Sequence, residues 1–217
     1  MQLTEQYRPR TWEEDAGQDK AIAEIRKATR RGYGGEAYWL SGASGMGKTT
    51  IARLIAGEVA GELATQEENG QDIDVEYVRR MRAAWSTTVL PSAGSEKTGR
   101  AWIINEAHNL RAKVCELLLT VLEEIPTHVV VIFTTTTEES KGLFEGYDNS
   151  PAFMSRCLQF KLARKGLCEP FAERARMIAQ KEGLDGRPIE AYQRLAKDNA
   201  NNLRDMLKAI QKGVMLE

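Results

Sequence analysis

Apolar positions recur along the chain in two rhythms, and the rhythms alternate. Residues 19–31, DKAIAEIRKATRR, put Ala21, Ile22, Ile25 and Ala28 on one helical face. Tyr38-Trp39-Leu40 is a short unbroken apolar run, the mark of a buried strand, and a glycine-rich turn follows it. TIARLIAGEV, residues 50–59, reads as a helix. The stretch AGELATQEENGQDI is polar and poorly periodic, whereas VEYVRRMRAAW after it has Val75, Val78, Met81 and Arg82 at helical spacing. Ala101 to Ile104 form a second short apolar strand. Ala112–Glu124 is an amphipathic helix that turns Val114, Leu117, Leu118, Val121 and Leu122 inward and stops at Ile125-Pro126. HVVVIFTTTT, β-branched and aromatic, predicts a fully buried central strand. A loop, KGLFEGYDNSP, then leads to Phe153-Met154 and the short apolar segment CLQFKL.

Beyond about Lys161 the pattern is helical only, in FAERARMIAQKEG, PIEAYQRLAKDN and NLRDMLKAIQKGVML. Short strands alternating with helices predict an α/β fold with a central parallel sheet over residues 1–160. The all-helical residues 161–217 are expected to be a second, small three-helix domain.

Composition narrows the class without naming a function. The 217 residues are 42% hydrophobic and 28% charged, which is globular composition with enough apolar content for a core. No run of 18 apolar residues occurs and the start, MQLTEQYRPRTWEED, has no apolar centre of a signal peptide, so a cytoplasmic protein without membrane contact is expected. Three scattered cysteines, Cys115, Cys157 and Cys168, argue against a disulfide framework and a zinc site. Net charge is −1, but its spread is uneven: Lys161 onward carries 12 Lys/Arg against 8 Asp/Glu. A basic tail on an acidic body permits a phosphate-binding face without requiring one.

The glycine-rich turn carries the strongest chemistry. Gly42-Ala43-Ser44-Gly45-Met46-Gly47-Lys48-Thr49 matches G-x-x-x-x-G-K-[ST] in full, between a strand and a helix. Glycines let successive backbone N–H groups converge on an anion, and the helix N-terminus adds partial positive charge. Lys48 is expected to reach the β- and γ-phosphates of ATP, and the Thr49 hydroxyl to bind Mg²⁺. Such a site needs a carboxylate at the end of a neighbouring strand, and Ala101–Ile104 runs into Asn105-Glu106. Glu106 is the candidate to orient or deprotonate water; the plainer reading is a glutamate capping the next helix. Asn105 stands where Asp is usual, so the metal should be held less firmly and ATP turnover should suffer more than ATP binding.

These residues together resemble a family. Tyr7-Arg8-Pro9 with TWEEDAGQDKAI is similar to the opening of clamp-loader ATPases of the AAA+ superfamily. The likeness continues through DVEYVRRMRAAWSTTVLPSAGSEKTGRAWIINEAHNL, LLLTVLEEIPTHVVVIFTTTTEE and MSRCLQF to NNLRDML. The nearest resemblance is to gamma/tau-type ATPase subunits of the bacterial replicative clamp loader, which implies a P-loop AAA+ domain followed by a helical lid. It further implies that Tyr7, Arg8 and Pro9, with Ala16 nearby, pack around adenine. Ser44, Gly45, Met46, Gly47, Lys48, Thr49 and Thr50 would hold phosphates, and Thr49 with Asn105 the Mg²⁺. Glu106 would be the catalytic base, and one threonine of Thr134–Thr137 a sensor for the attacking water, with Thr136 favoured. Arg156, in Ser155-Arg156-Cys157, would be an arginine finger reaching a neighbouring subunit's ATP, and Arg204 a second sensor on the lid. A finger acting in trans implies an oligomer with nucleotide at its interfaces. The family's four-cysteine zinc module has no counterpart in VAGELATQEENGQ, and the family's collar is expected either to be dispensable, to come from another chain or to lie outside these 217 residues.

The resemblance also names partners: primer–template DNA, a sliding clamp and other clamp-loader subunits. Arg100, Asn109, Arg111 and Lys113 lie near the helix start that would track the DNA backbone, and the Arg79–Arg82 helix on the side that would face the clamp. Three readings stay open on sequence. One is an ATP-driven replication motor. Another is a slow or non-hydrolysing ATP-binding subunit, favoured by Asn105. The third is a related DNA motor of the Holliday-junction branch-migration type, against which Ser155-Arg156-Cys157 speaks.

Overall fold

A computed structural model describes residues 2–87, 89, 96–136, 144 and 149–216. Its centre is a five-stranded, all-parallel sheet of β1 (Glu36–Ser41), β2 (Thr65–Asn69), β3 (Arg100–Asn105), β4 (Val129–Thr135) and β5 (Leu158–Lys161), in the order β2-β3-β4-β1-β5. Every residue of β4 is buried, because strands pair on both of its edges and helices cover both faces. A parallel sheet needs a crossover after each strand, and α3 (Lys48–Val59), α4 (Val75–Ala84) and α5 (Ala112–Val121) supply helices for them.

The sheet separates two apolar clusters. On one face Trp39, Trp102, Phe133 and Phe153, the last on α6 (Ser150–Met154), pack with Val114, Leu118 and Met81 of α4 and α5. On the other, Leu40, Ile103 and Ile132 meet Ile51 and Ile55 of α3. That second cluster runs on without a break into α7 (Cys168–Lys181), α8 (Ile189–Asp198) and α9 (Leu203–Gln211), through Phe171, Tyr192 and Ile210. The helical tail therefore shares its core with the sheet. A short first helix, α1 (Leu3–Gln6), packs on α9, with the Leu3 amide donating to Gln211 Oε1.

Two features differ from the sequence expectation. The polar stretch before α4 contains β2, which among the described residues pairs only with β3 and is an edge strand with half-buried and exposed residues alternating. Its five residues, TQEEN, include none that is apolar, so the ladder to β3 supplies what hydrophobic burial does not. Ala28 was expected inward but is exposed; the helix α2 (Asp19–Ala28) ends there, and buried Thr29 takes the inner position, donating to the Ile25 carbonyl. Among the described residues no helix is long and apolar enough to cross a membrane.

Candidate functional site

One cleft collects most of the residues singled out from sequence. Tyr7, Arg8, Pro9 and Ala16 line it together with Ser44 through Thr50, Glu106 and Arg204. Three separate stretches of chain therefore converge on the loop between β1 and α3.

That loop is shaped by backbone only glycine adopts cheaply. Gly47, at φ 91°, precedes the first turn of α3 and lets the chain enter the helix from the left-handed region. Gly45, at φ 77°, is pressed from outside as well: a Cβ there would lie 1.9 Å from Asn202 Oδ1. Asn202 caps α9 by accepting from the Asp205 amide at 3.3 Å, so one side chain touches the loop and starts the helix bearing Arg204. Lys48 is buried, and its ammonium donates to the Gly42 and Ala43 carbonyls at 2.8 and 2.9 Å. Burial lowers its pKa; Glu106 pulls the other way and Arg204 adds to the lowering.

The facing wall is the end of β3. Asn105 Oδ1 accepts from Thr49 Oγ1 at 3.2 Å and from Thr134 Oγ1 at 2.9 Å, and Asn105 Nδ2 donates to Glu67 Oε1 at 2.8 Å. Glu106 sits in the left-handed region at φ 49°, ψ 48°, a conformation that costs a non-glycine residue ~1–3 kcal/mol. Gly70, just after β2, makes room for it, since a Cβ there would stand 2.7 Å from the Glu106 carbonyl oxygen. Glu106 lines the cleft, and Thr136, which is not among the lining residues, donates from Oγ1 to its carboxylate at 3.3 Å. His108 stands behind, 3.0 Å from Thr135 Oγ1 and 3.5 Å from the Glu106 carboxylate. Each threonine in the run thus has its own partner; Thr137 lies outside the described residues.

The remaining wall joins the N-terminal segment to the helical tail. Tyr7 Oη donates to Glu182 at 2.6 Å, which raises the Tyr7 pKa, and Arg174 donates to the Tyr7 carbonyl at 3.1 Å. Asp15, not identified from sequence, also lines the cleft. Burial pushes its carboxyl up to about 7, Asp19 adds to the rise and Arg174 opposes it. Asp15 Oδ2 and Arg8 Nε are buried with no hydrogen-bond partner among the described residues. The only signal available in the sequence was an acid set directly before Ala16-Gly17, in a turn that packs under α7.

Arg156 is not among the residues lining this cleft. Its Nε donates to Glu123 at 2.9 Å and its Nη1 to the Ala152 carbonyl at 2.7 Å. Of the basic residues singled out, Arg100 is spent on Thr87 and Arg82 on Glu124. Arg111 and Lys113 are exposed at the start of α5 and line a groove with Arg79 of α4.

Thr49, which lines the cleft, and Asn105, which does not but bonds to Thr49, offer a metal two neutral oxygens, Oγ1 and Oδ1. Among the described residues no group of three His, Cys, Asp or Glu side chains could hold a metal alone. That donor set fits a hard, oxygen-seeking cation that keeps most of its ligands as water and phosphate.

Residues 38–145 match the ATPase family associated with various cellular activities (AAA). The chain is 27% identical to DNA polymerase III subunit tau of Escherichia coli, over 98% of this chain and 34% of that protein. It is 30% identical to DNA polymerase III subunit gamma of Buchnera aphidicola subsp. Schizaphis graminum, over 74% of this chain and 47% of that one. The chain thus spans about a third of the length of the first of these relatives. Among solved structures, the Thermotoga maritima RuvB Holliday junction branch migration motor superimposes with a TM-score of 0.67 at 22% identity, over 94% of this chain and 64% of that one. A single-substitution form of Thermotoga maritima RuvB gives a TM-score of 0.70 at 21% identity and the same coverage. These likenesses establish the P-loop AAA fold.

Proposed function

We propose that this chain, an AAA-family protein related to the tau and gamma subunits of DNA polymerase III, binds ATP with Mg²⁺ in the cleft described above. It works as a clamp-loader-type subunit in DNA replication, in the cytoplasm, within an oligomer that places nucleotide at its interfaces. Nucleotide state is coupled there to primer–template DNA and a sliding clamp.

The observation that carries the reading is convergence: Lys48, Glu106 and Arg204 come from the loop, the end of β3 and α9, yet line one cleft. The loop amides and Lys48 bind the phosphates, for which the ammonium exchanges its contacts with the Gly42 and Ala43 carbonyls. Glu106 orients the attacking water and takes its proton, and Thr136 holds the carboxylate in place. Arg204 reports the γ-phosphate to the helical tail. Thr49 and Asn105 would hold Mg²⁺, which supplies charge neutralisation at the phosphate oxygens. Tyr7, Arg8, Pro9 and Ala16 enclose the base. Arg156, which does not line the cleft of its own chain, serves the site of a neighbouring subunit and leaves Glu123 to do so.

Asn105 favours a second reading, an ATP-binding subunit that turns over slowly or not at all and acts by changing shape. Steady-state ATP hydrolysis by the purified chain at high concentration, with and without primer–template DNA, separates the two. DNA-stimulated turnover is the expected result. Tight ATP binding without turnover in either condition selects the second reading, and absence of ATP binding overturns both.

A further inference from the structure

Asn105 is the residue at which this site departs from the usual chemistry, and its surroundings show how the departure is accommodated. A side-chain amide presents an acceptor on one side and a donor on the other, in nearly the same shape, so only its partners decide which way it faces. On the loop side the partners are the hydroxyls of Thr49 and Thr134, at 3.2 and 2.9 Å. A hydroxyl both donates and accepts, so neither fixes the orientation. On the far side stands Glu67 Oε1, 2.8 Å from Asn105 Nδ2. An ionised carboxylate only accepts.

Glu67 reaches that point because β2 and β3 are in parallel register, with Asn69 opposite Asn105; Glu67, two residues earlier, shares their face. Its other oxygen accepts from Arg53 Nε at 2.7 Å. Arg53 lies four residues after Thr49, one turn along α3. The result is a closed ring: Thr49, Asn105, Glu67, Arg53 and back along the helix to Thr49.

We infer that Glu67 is a positioning residue that locks the Asn105 amide with its oxygen toward Thr49, so that a neutral side chain still offers an acceptor to the metal side of the cleft. Arg53 in turn holds Glu67. The arrangement rests on the nucleotide reading for its purpose, but not for its geometry. It carries a specific consequence. Asn105→Asp alone does not simply restore the usual site, because it sets an oxygen where Nδ2 stood, 2.8 Å from Glu67 Oε1, with no proton donor between them. Glu67→Gln alone releases the lock: its new nitrogen can donate to Asn105 Oδ1 while its oxygen accepts from Arg53 Nε, so the Asn105 amide turns and presents Nδ2 to Thr49 without leaving a group unpaired. The two changes together re-form the ring with its polarity exchanged: the new amide nitrogen donates to the new carboxylate, and the amide oxygen accepts from Arg53.

The test is a double-substitution cycle on the full chain, read by thermal unfolding without nucleotide or metal. Asn105→Asp alone is expected to unfold about 4 °C below the wild type, Glu67→Gln alone within ~2 °C of it, and the double likewise within ~2 °C. A second readout is the Mg²⁺ concentration that half-maximally retains a fluorescent ATP analogue. Glu67→Gln should raise it about tenfold, and the double variant should bring it back. A double variant that loses the sum of the two single losses overturns the inference. Failure of the wild type to bind the analogue overturns the nucleotide reading instead, and leaves the unfolding cycle to judge Glu67.

Discussion

The two sides of the cleft treat their polar groups in opposite ways. On the sheet side, Lys48, Asn105, Glu106 and His108 all have protein partners, mostly strand ends and the loop itself. On the helical side, Arg8 Nε and Asp15 Oδ2 are buried without partners among the described residues, and Asn201 Oδ1, in the turn before α9, shares that condition. A parallel sheet fixes its strand ends through ladders on both edges, so groups mounted there are set in advance. Groups held between an extended segment and three helices are not. One wall is finished by folding, while the other holds hydrogen-bonding capacity in reserve.

The largest expected effect removes the finished wall. Lys48→Ala should weaken ATP binding at least ~100-fold by isothermal titration, the loss of charge-assisted hydrogen bonds in a buried site. Retained tight binding would show that the loop is not the phosphate site. Gly45→Ala tests the seam between the walls. With φ at 77° and Asn202 Oδ1 1.9 Å from the added carbon, it should cost about 2 kcal/mol in urea unfolding and weaken nucleotide binding. Unchanged stability would mean that Asn202 swings away freely.

Asp15→Asn probes the reserve. The carboxyl rises from 3.8 to about 7 on folding, so the fold prefers the neutral acid. That preference stabilises the protein fully below about pH 4 and is lost as pH rises through 7. The amide keeps it at all pH, so the variant should gain about 1–3 kcal/mol at pH 8 and little at pH 4. Equal shifts at both pH values would place Asp15 in water rather than in the wall. Smallest of all, Glu182→Gln keeps an acceptor for the exposed Tyr7 hydroxyl and should move the thermal midpoint by less than ~2 °C. A larger fall would make that contact the main tie between the N-terminal segment and α7.

Sequence reading reached the finished wall far better than the reserve. β1, β3 and β4 are continuous apolar runs because both faces of a parallel sheet are covered, and the loop carries a complete motif. β2 was invisible for the converse reason: an edge strand made of TQEEN is held by main-chain pairing, which leaves no hydrophobic trace. Glu67 went unnoticed with it, since its part in the ring depends on register. Asp15 looked like one more acid in an acidic stretch, and only the packing of α7 over its turn buries it. The Arg156–Glu123 pair spans 33 positions, a separation that no local pattern reports.

The open flank of the sheet bears on how this protein behaves when concentrated. An unpaired strand edge invites another molecule to continue the ladder, and long apolar edges end in insoluble stacks. Here the outermost strand is only five residues long and presents Gln66 and Glu68 to water. Two copies brought edge to edge would meet acid against acid. The composition that hid β2 from a hydrophobic reading thus also disfavours pairing of two copies through it.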